Sequence, residues 1–598
     1  MYSHSERIYE NLAFQLAFCC EVGFGGFRDK PKLIEMLYKS RSTEQELKKT
    51  IDRIKLLESD GRVHAGAVYS AMQTLGHIIR TDLVNQYRIN GILEEAEAEI
   101  RREIRDIECY VGKDSSAWWV STGTLSNICM AKGRWKEAEE LEMQVIEVIS
   151  NILGEDHPST LTNIANLASI YRDQGQWKEA EDLDEEVVEA FKRIFGEKHR
   201  DTLTSMVNLA ATYKDQGRWK EAEELEMQVV EIEKSMFGEE HPSTLIGMGN
   251  LASTYNHQGR WEEAEELRAK TLEICSRVLG KEHPSTLTSM GNLASTYRSQ
   301  GRWNEAEELG AKALNICSGV LGKEHPSTVT NMENLASTYR NQGRWNEAEE
   351  LGAKALEICS RVLGEEHPHT LISMGNLALT YSNQGRWDEA EQLFVQVTEI
   401  NKRVLGNERP DALGSINNLA SIYTNQGRWK EAEELGVQVI ETSLRILGEE
   451  HPSTLTSMSN LASTYGGQGR WKEAEELEAQ VVKIRKRMPG REEHPDTLIS
   501  MANLAATFWN QKRWKEAEEL EVQVMETRLR VLGKEHPDTL NSMANLASTL
   551  KCQSRNEEAI SLMKDCYELQ KQVLGPQHSY TVALLQTMNE WQIEILEI

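Results

Sequence analysis

Ten asparagines share one phase of the chain: Asn166, Asn208, Asn250, Asn292, Asn334, Asn376, Asn418 and Asn460 at intervals of 42 residues, then Asn503 and Asn545. An asparagine side chain carries both a donor and an acceptor, so a row of them can satisfy the main chain of an extended peptide without asking for particular side chains. Small residues lie around them, among them Ser253, Ser295, Ser337, Gly249, Gly291 and Gly375, and would let such a backbone come close. The same amides could instead bond the backbone of the next structural unit and fix its angle, and spacing alone does not choose between the two. A second set, Arg172, Lys214, Arg298 and Arg340, puts positive charge just after a recurrent tyrosine and then gives way to Ser382, Thr424 and Gly466. A preference for an acidic peptide would therefore centre on residues 172–340.

Catalytic and metal chemistry find no comparable arrangement. A catalytic site needs unlike groups converging on one point, whereas this chain repeats like groups at fixed intervals. The histidines of the recurrent His-Pro pairs stand one interval apart along an edge and cannot meet on one ion; they read as turn and cap residues. Cys275, Cys317 and Cys359 also recur every 42 residues. Helices pack about 8–10 Å apart, beyond the reach of a disulfide. No Cys-x-x-Cys or His-Glu-x-x-His phrase occurs, GFGGF at 23–27 lacks the spacing of a dinucleotide loop, and LGKEHP lacks the upstream glycine and the hydroxyl residue of a phosphate loop. No enzyme, no cofactor and no metal are expected.

What must position the asparagines is a repeat. Trp135, Trp177, Trp219, Trp261, Trp303, Trp345, Trp387, Trp429 and Trp471 recur every 42 residues, and Trp514 follows after one inserted residue. In the unit 157–198, Leu161, Ile164, Leu167, Ala168 and Tyr171 form one helical stripe, helix A, opened by Pro158 and ended by Gly175. A second stripe, helix B, runs from Trp177 through Ala180, Leu183, Val187, Phe191 and Ile194 to Gly196. Two such helices joined by a short turn make an antiparallel hairpin that cannot bury both stripes alone, so hairpins must stack. The asparagines lie on the face of helix A opposite its stripe, beside Thr162, Ala165, Ser169 and Asp173. The tryptophans read as helix-packing core, so that Trp303→Ala would cost about 3–5 kcal/mol. Met248, Met290, Met332 and Met374 lie on the apolar stripe and read as core too.

Ten clear units over 157–577 begin at His157, His199, His241, His283, His325, His367, Arg409, His451, His494 and His536. Residues 73–156 hold two degenerate repeats, 578–598 a capping helix, and 1–72 an N-terminal helical segment or cap. Near 488–493 a one-residue insertion and the run Met488, Pro489, Gly490, Arg491 should end one helix B early and could change the local pitch. The phrases NLASTY, QGRWNEAEEL and LGKEHPSTL resemble tetratricopeptide repeats of the 42-residue kinesin light chain-like type, which also occur in fungal nucleotide-binding receptor-like proteins. The resemblance spans 73–598 and implies an all-α, right-handed superhelical solenoid of antiparallel helix pairs, with helices A lining the concave side. It also implies a protein-binding scaffold, and in related domains the matching asparagine contacts peptide ligands. Two narrower roles stand beside it: a kinesin light chain-like cargo adaptor, and a sensor related to nucleotide-binding immune-receptor-like proteins. Neither the long heptad run of the first nor the phosphate loop of the second is present in this sequence.

The balance of 95 acidic against 67 basic residues, a formal charge of -28, would repel a phosphate backbone. Helix B carries much of it, as Glu179, Glu181, Asp182, Glu185, Glu186 and Glu189 on a solvated side, whereas helix A is almost free of acids. No apolar run reaches membrane-spanning length. The expected partner is a protein or peptide in the cytoplasm, not nucleic acid and not a membrane; nothing in the pattern sets an oligomeric state.

Overall fold

In the computed structural model, residues 97–596 are described, with short interruptions at 99, 103, 106, 110–111, 133, 405–408, 489–492, 574 and 577. The N-terminal segment 1–72, most of the first degenerate repeat and Pro489–Arg491 lie outside the described residues. Every regular element among the described residues is an α-helix. Helix A of each clear unit has 16 residues, as in Pro158–Asp173, and helix B has 17 to 19, as in Trp471–Arg487 and Trp177–Phe195. A pair at Ser116–Ala131 and Trp135–Leu153 precedes them, and Ser579–Leu596 follows the last. Consecutive helices pack on one another, as Ser116–Ala131 through Trp177–Phe195 do and as Trp345–Leu363 through Ser579–Leu596 do, and the fold is a solenoid of helix hairpins.

Local chemistry explains where each helix begins and ends. The His-Pro histidine is an N-cap: His157 Nδ1 accepts the Ser159 N–H at 3.1 Å, and His451 Nδ1 accepts that of Ser453 at 3.1 Å. The threonine that follows locks the turn, Thr160 Oγ1 donating to the Gly154 carbonyl at 2.8 Å. Helix A stops at a residue in the left-handed region, Gly175 at φ 75° and its equivalents. In two units that residue is Lys512 (φ 62°) or Ser554 (φ 64°), where a side chain is strained. Lys512→Gly and Ser554→Gly are each expected to raise stability by about 0.5–1 kcal/mol, read as a higher denaturant midpoint with an unchanged slope.

Within the second unit the QGRW phrase staples one repeat to the one before. Gln300 Nε2 and Arg302 Nη1 both donate to Glu265 of the preceding helix B, at 2.8 and 2.7 Å. Gln342 and Arg344 do the same to Glu307 at 2.9 and 2.7 Å, and Gln468 and Arg470 to Glu433 at 2.8 and 2.7 Å. Each arginine also lies over the tyrosine of its own helix A, Arg302 at 4.3 Å from the Tyr297 ring centre. The acidic face of helix B is therefore not uniform. Glu179, Asp182, Glu185, Glu186 and Glu189 are exposed, but Glu181, at the staple position, is half-buried.

The chain divides into two compact units, one with residues up to Ser205 and Cys317–Thr328, the other with Met206–Ile316 and Val329 onward. In the first, Leu161 packs with Val187, Ala190 and Phe191. In the second, Met248 packs with Val230, Leu245, Ile274 and Cys275. Met290, Met332 and Met374 are likewise buried, as are Cys317 and Cys359, and the three spaced cysteines form no disulfide. The recurrent tryptophans lie less deep than the methionines and cysteines. Trp135, Trp177, Trp219, Trp261, Trp303, Trp345, Trp429, Trp471 and Trp514 are only half-buried, and Trp387 is 39% exposed. Each begins a helix B at the edge of the hairpin; Trp219 there stacks on His257 at the end of the next helix A, at 4.7 Å, and Trp429 lies against Gly467 in the same way. The tryptophan that does lie in the core is Trp118, 1% exposed, its Nε1 donating to Glu108 at 3.0 Å. The helix B before the insertion stops at Arg487 after 17 residues.

The second unit coils far enough to touch itself. His451 Nε2 meets the Asp215 carbonyl at 3.2 Å, His494 that of His257 at 2.7 Å, and His536 that of Ser299 at 3.3 Å. With Nδ1 accepting at the N-cap, Nε2–H is the donor in each, and burial pushes the His451 pKa down to about 4. Trp261 stacks on His536 at 5.4 Å. Pro495 sits so close above Gly259 (φ +76°) that a Cβ there would lie 2.7 Å from Pro495 Cδ.

Candidate functional site

The ten asparagines fall into two groups according to what faces them. Asn166 Nδ2 donates to Glu142 Oε1 of the preceding helix B at 3.1 Å, and Asn503 bonds Glu478 in the same manner. These carboxylates belong to a set that sequence reasoning missed, a charged position buried on helix B. Glu142, Asp184, Glu226, Arg268, Glu478 and Glu521 occupy it, all buried. Glu142, Glu226, Arg268, Glu478 and Glu521 each bond helix A of their own or the next repeat. Lys214 Nζ lies 2.8 Å from Glu226 Oε1, and Thr254 Oγ1 donates to Oε2 at 2.6 Å. Arg268 Nη1 donates to the Asn292 carbonyl at 2.8 Å. Burial raises the carboxyl pKa of both Glu478 and Glu521 to about 7, outweighing the Ser459 hydroxyl and the Arg485 charge at Glu478 and the Thr549 hydroxyl at Glu521.

In the middle repeats the same helix-B position is Gly310 in phase with Asn334, Gly352 with Asn376 and Phe394 with Asn418, so that position supplies no carboxylate to these amides. Here the basic residues behave differently too. Arg298 Nη1 donates to the Asn334 carbonyl at 3.2 Å and Nη2 to Ser295 Oγ at 3.0 Å, and Arg340 Nη1 donates to the Asn376 carbonyl at 3.2 Å. Among the described residues neither guanidinium makes a salt bridge, and burial pushes both pKa values down, with Arg340 adding to the shift at Arg298. Missing side-chain volume at Gly352 leaves a cavity of about 10 Å³ bordered by Glu333, Arg340, Ser373, Asn376 and Thr380, room for one water. Of the four basic residues expected to attract an acidic ligand, then, Lys214 is tied to Glu226, Arg172 is half-buried in the first unit, and Arg298 and Arg340 remain uncompensated. Asn208, Asn250 and Asn460 are half-buried, whereas Asn292 and Asn545 are exposed.

One cluster deserves comparison with a hydrolase triad. Ser373 Oγ bonds Glu333, and His369 Nε2 lies 3.3 Å from the other oxygen of Glu333. The carboxylate, not the imidazole, meets the serine hydroxyl, so the order of groups needed to activate a serine is absent. No group of His, Cys, Asp and Glu among the described residues could hold a metal ion.

The chain belongs to the tetratricopeptide repeat family, which it matches over residues 161–235, 243–319, 292–340, 327–403, 411–487 and 496–572, with a further tetratricopeptide repeat match at 121–159. A putative kinesin light chain from Podosopora anserina with nearly identical TPR-like repeats is 38% identical over 34% of this chain and 98% of its own length, with a TM-score of 0.31. BtubC (BKLC) from P. vanneervenii is 20% identical over 41% of this chain and 92% of its own, with a TM-score of 0.31. Yeast Tom70 is 12% identical over 81% of this chain and 96% of its own, with a TM-score of 0.40. No curated protein matches. Arrays of this family are protein–protein interaction scaffolds and are generally non-catalytic. No described helix is long and apolar enough to cross a membrane.

Proposed function

We propose that the chain is a non-enzymatic scaffold that holds an extended partner segment along its helix-A face, with an acidic side chain of that segment seated between Arg298 and Arg340. The arginine pair carries the proposal: two half-buried guanidiniums in adjacent repeats, neither in a salt bridge among the described residues. A ligand carboxylate would restore the solvation that burial removes and accept charge-assisted hydrogen bonds. Asn334, Asn376 and Asn418 flank the pair and can bond a peptide main chain, whereas Asn166 and Asn503 already hold neighbouring repeats together. The binding region is thereby drawn in from residues 172–340 toward 298–418. A cytoplasmic, kinesin light chain-like adaptor is the narrower form of the same proposal and rests on the repeat phrases alone.

Selection from a displayed library of random peptides provides the test. Acidic sequences should be enriched, and a variant with Asn334, Asn376 and Asn418 changed to Ala, or with Arg298→Gln and Arg340→Gln, should bind the selected peptide at least about tenfold more weakly at nearly unchanged melting temperature. Asn166→Ala should do the reverse, lowering the melting temperature and sparing the affinity. Undiminished binding by both the asparagine and the arginine variants would refute the proposal.

A further inference from the structure

The second unit joins two unlike edges to each other, and among the described residues part of each edge stays exposed. One edge is the loop that ends helix B and runs into the His-Pro turn; the other is the QGRW loop with the end of helix A beside it. Where the edges meet, His451, His494 and His536 are each 7% exposed, and the apolar residues leading into their turns, such as Leu447 and Leu532, are half-buried. Earlier in the same unit the equivalent loops are bare: Met236 is 43%, Phe237 45%, Val278 46% and Leu279 37% exposed. His241 there stacks on Phe237 at 4.7 Å. On the other edge Trp387 is 39% exposed, and the carbonyls of Asn425 and Gly467 stand where those of Asp215 and Ser299 accept a histidine N–H lower in the coil.

We propose that a second copy of this chain docks here, setting its loops 236–241 and 278–283 on the edge that carries Trp387, Trp429 and Trp471, and so repeats between chains the contact made within one. The occupant follows from continuity with the internal contact. The open residues are the same types, in the same phrases, as those already mated, and a row of exposed Phe, Met, Val and Trp side chains calls for cover. Because the two edges differ, the contact is heterologous: a dimer still presents one edge of each kind, and association continues head to tail.

Sedimentation of the full chain over a range of micromolar concentrations should show a mass that rises continuously. Phe237→Asp disables one edge and Trp387→Asp the other, both at exposed positions where circular dichroism should report an unchanged fold. Each variant alone is expected to remain a monomer. An equimolar mixture should form a dimer and nothing larger, since each partner contributes its one intact edge. A wild type that stays monomeric throughout, or a single variant that still associates, overturns the inference.

Discussion

Lys214→Met should destabilise the repeats around it by about 3–5 kcal/mol, far more than the loss of an exposed ion pair. Glu226 is 2% exposed and has two supports, the Lys214 ammonium at 2.8 Å and the Thr254 hydroxyl at 2.6 Å. Removing the lysine leaves a desolvated carboxylate with a single neutral donor, which is the costly half of the asymmetry between breaking a buried pair and replacing it. The double change Lys214→Met with Glu226→Gln should recover most of the loss, because the uncompensated charge goes with it. Hydrogen exchange in Arg200–Asp215, Trp219–Phe237 and Pro242–His257 would place the effect, and denaturant unfolding would size it. A loss below about 1 kcal/mol, the range of exposed pairs, would show that Glu226 is solvated after all.

Glu226 also marks where the sequence stops being legible. The period of 42 and the stripes Leu161–Tyr171 and Trp177–Ile194 place both helices of a unit almost to the residue, because Pro and Gly punctuate them and the apolar spacing fits one helical face. The role of His157 as a cap was legible for the same reason. The buried charges were not, since a glutamate inside EAEELE looks like its solvated neighbours. A signal did exist. The position lies four residues beyond the buried alanine of helix B, on the core stripe, and elsewhere in the array it holds Gly310, Gly352, Phe394 and Gly436. A helix position that alternates between carboxylate, glycine and phenylalanine is not a solvated one. The reach of Gln300 and Arg302 to Glu265, and of His536 to Ser299, lay beyond any local pattern, because both bridge elements that only the coil brings together.

The same position sets the second large effect. Phe394→Ala should cost about 3–5 kcal/mol, and Trp303→Ala only about 1–2 kcal/mol, the reverse of what residue size and repetition suggest. Phe394 is 1% exposed and packs against Ala378, Ala390, Leu419 and Ile422, small or branched side chains that cannot all move in to fill the space of a lost ring. Trp303 is half-buried, and its indole borders a cleft of about 1120 Å³ beneath His536 and His578, so part of what alanine would expose is wet already. Unfolding of a repeat array responds to both the intrinsic stability of a unit and its interfaces with neighbours. Loss of Phe394 should therefore weaken exchange protection on both sides of its helix, in Pro368–Asn383 and Pro410–Asn425, whereas loss of Trp303 should act mainly on the self-contact of the coil. If Trp303→Ala proved the more damaging in the same denaturant series, the edge tryptophans would have to count as core, and the half-buried row along the hairpin edge would lose its meaning as a contact surface.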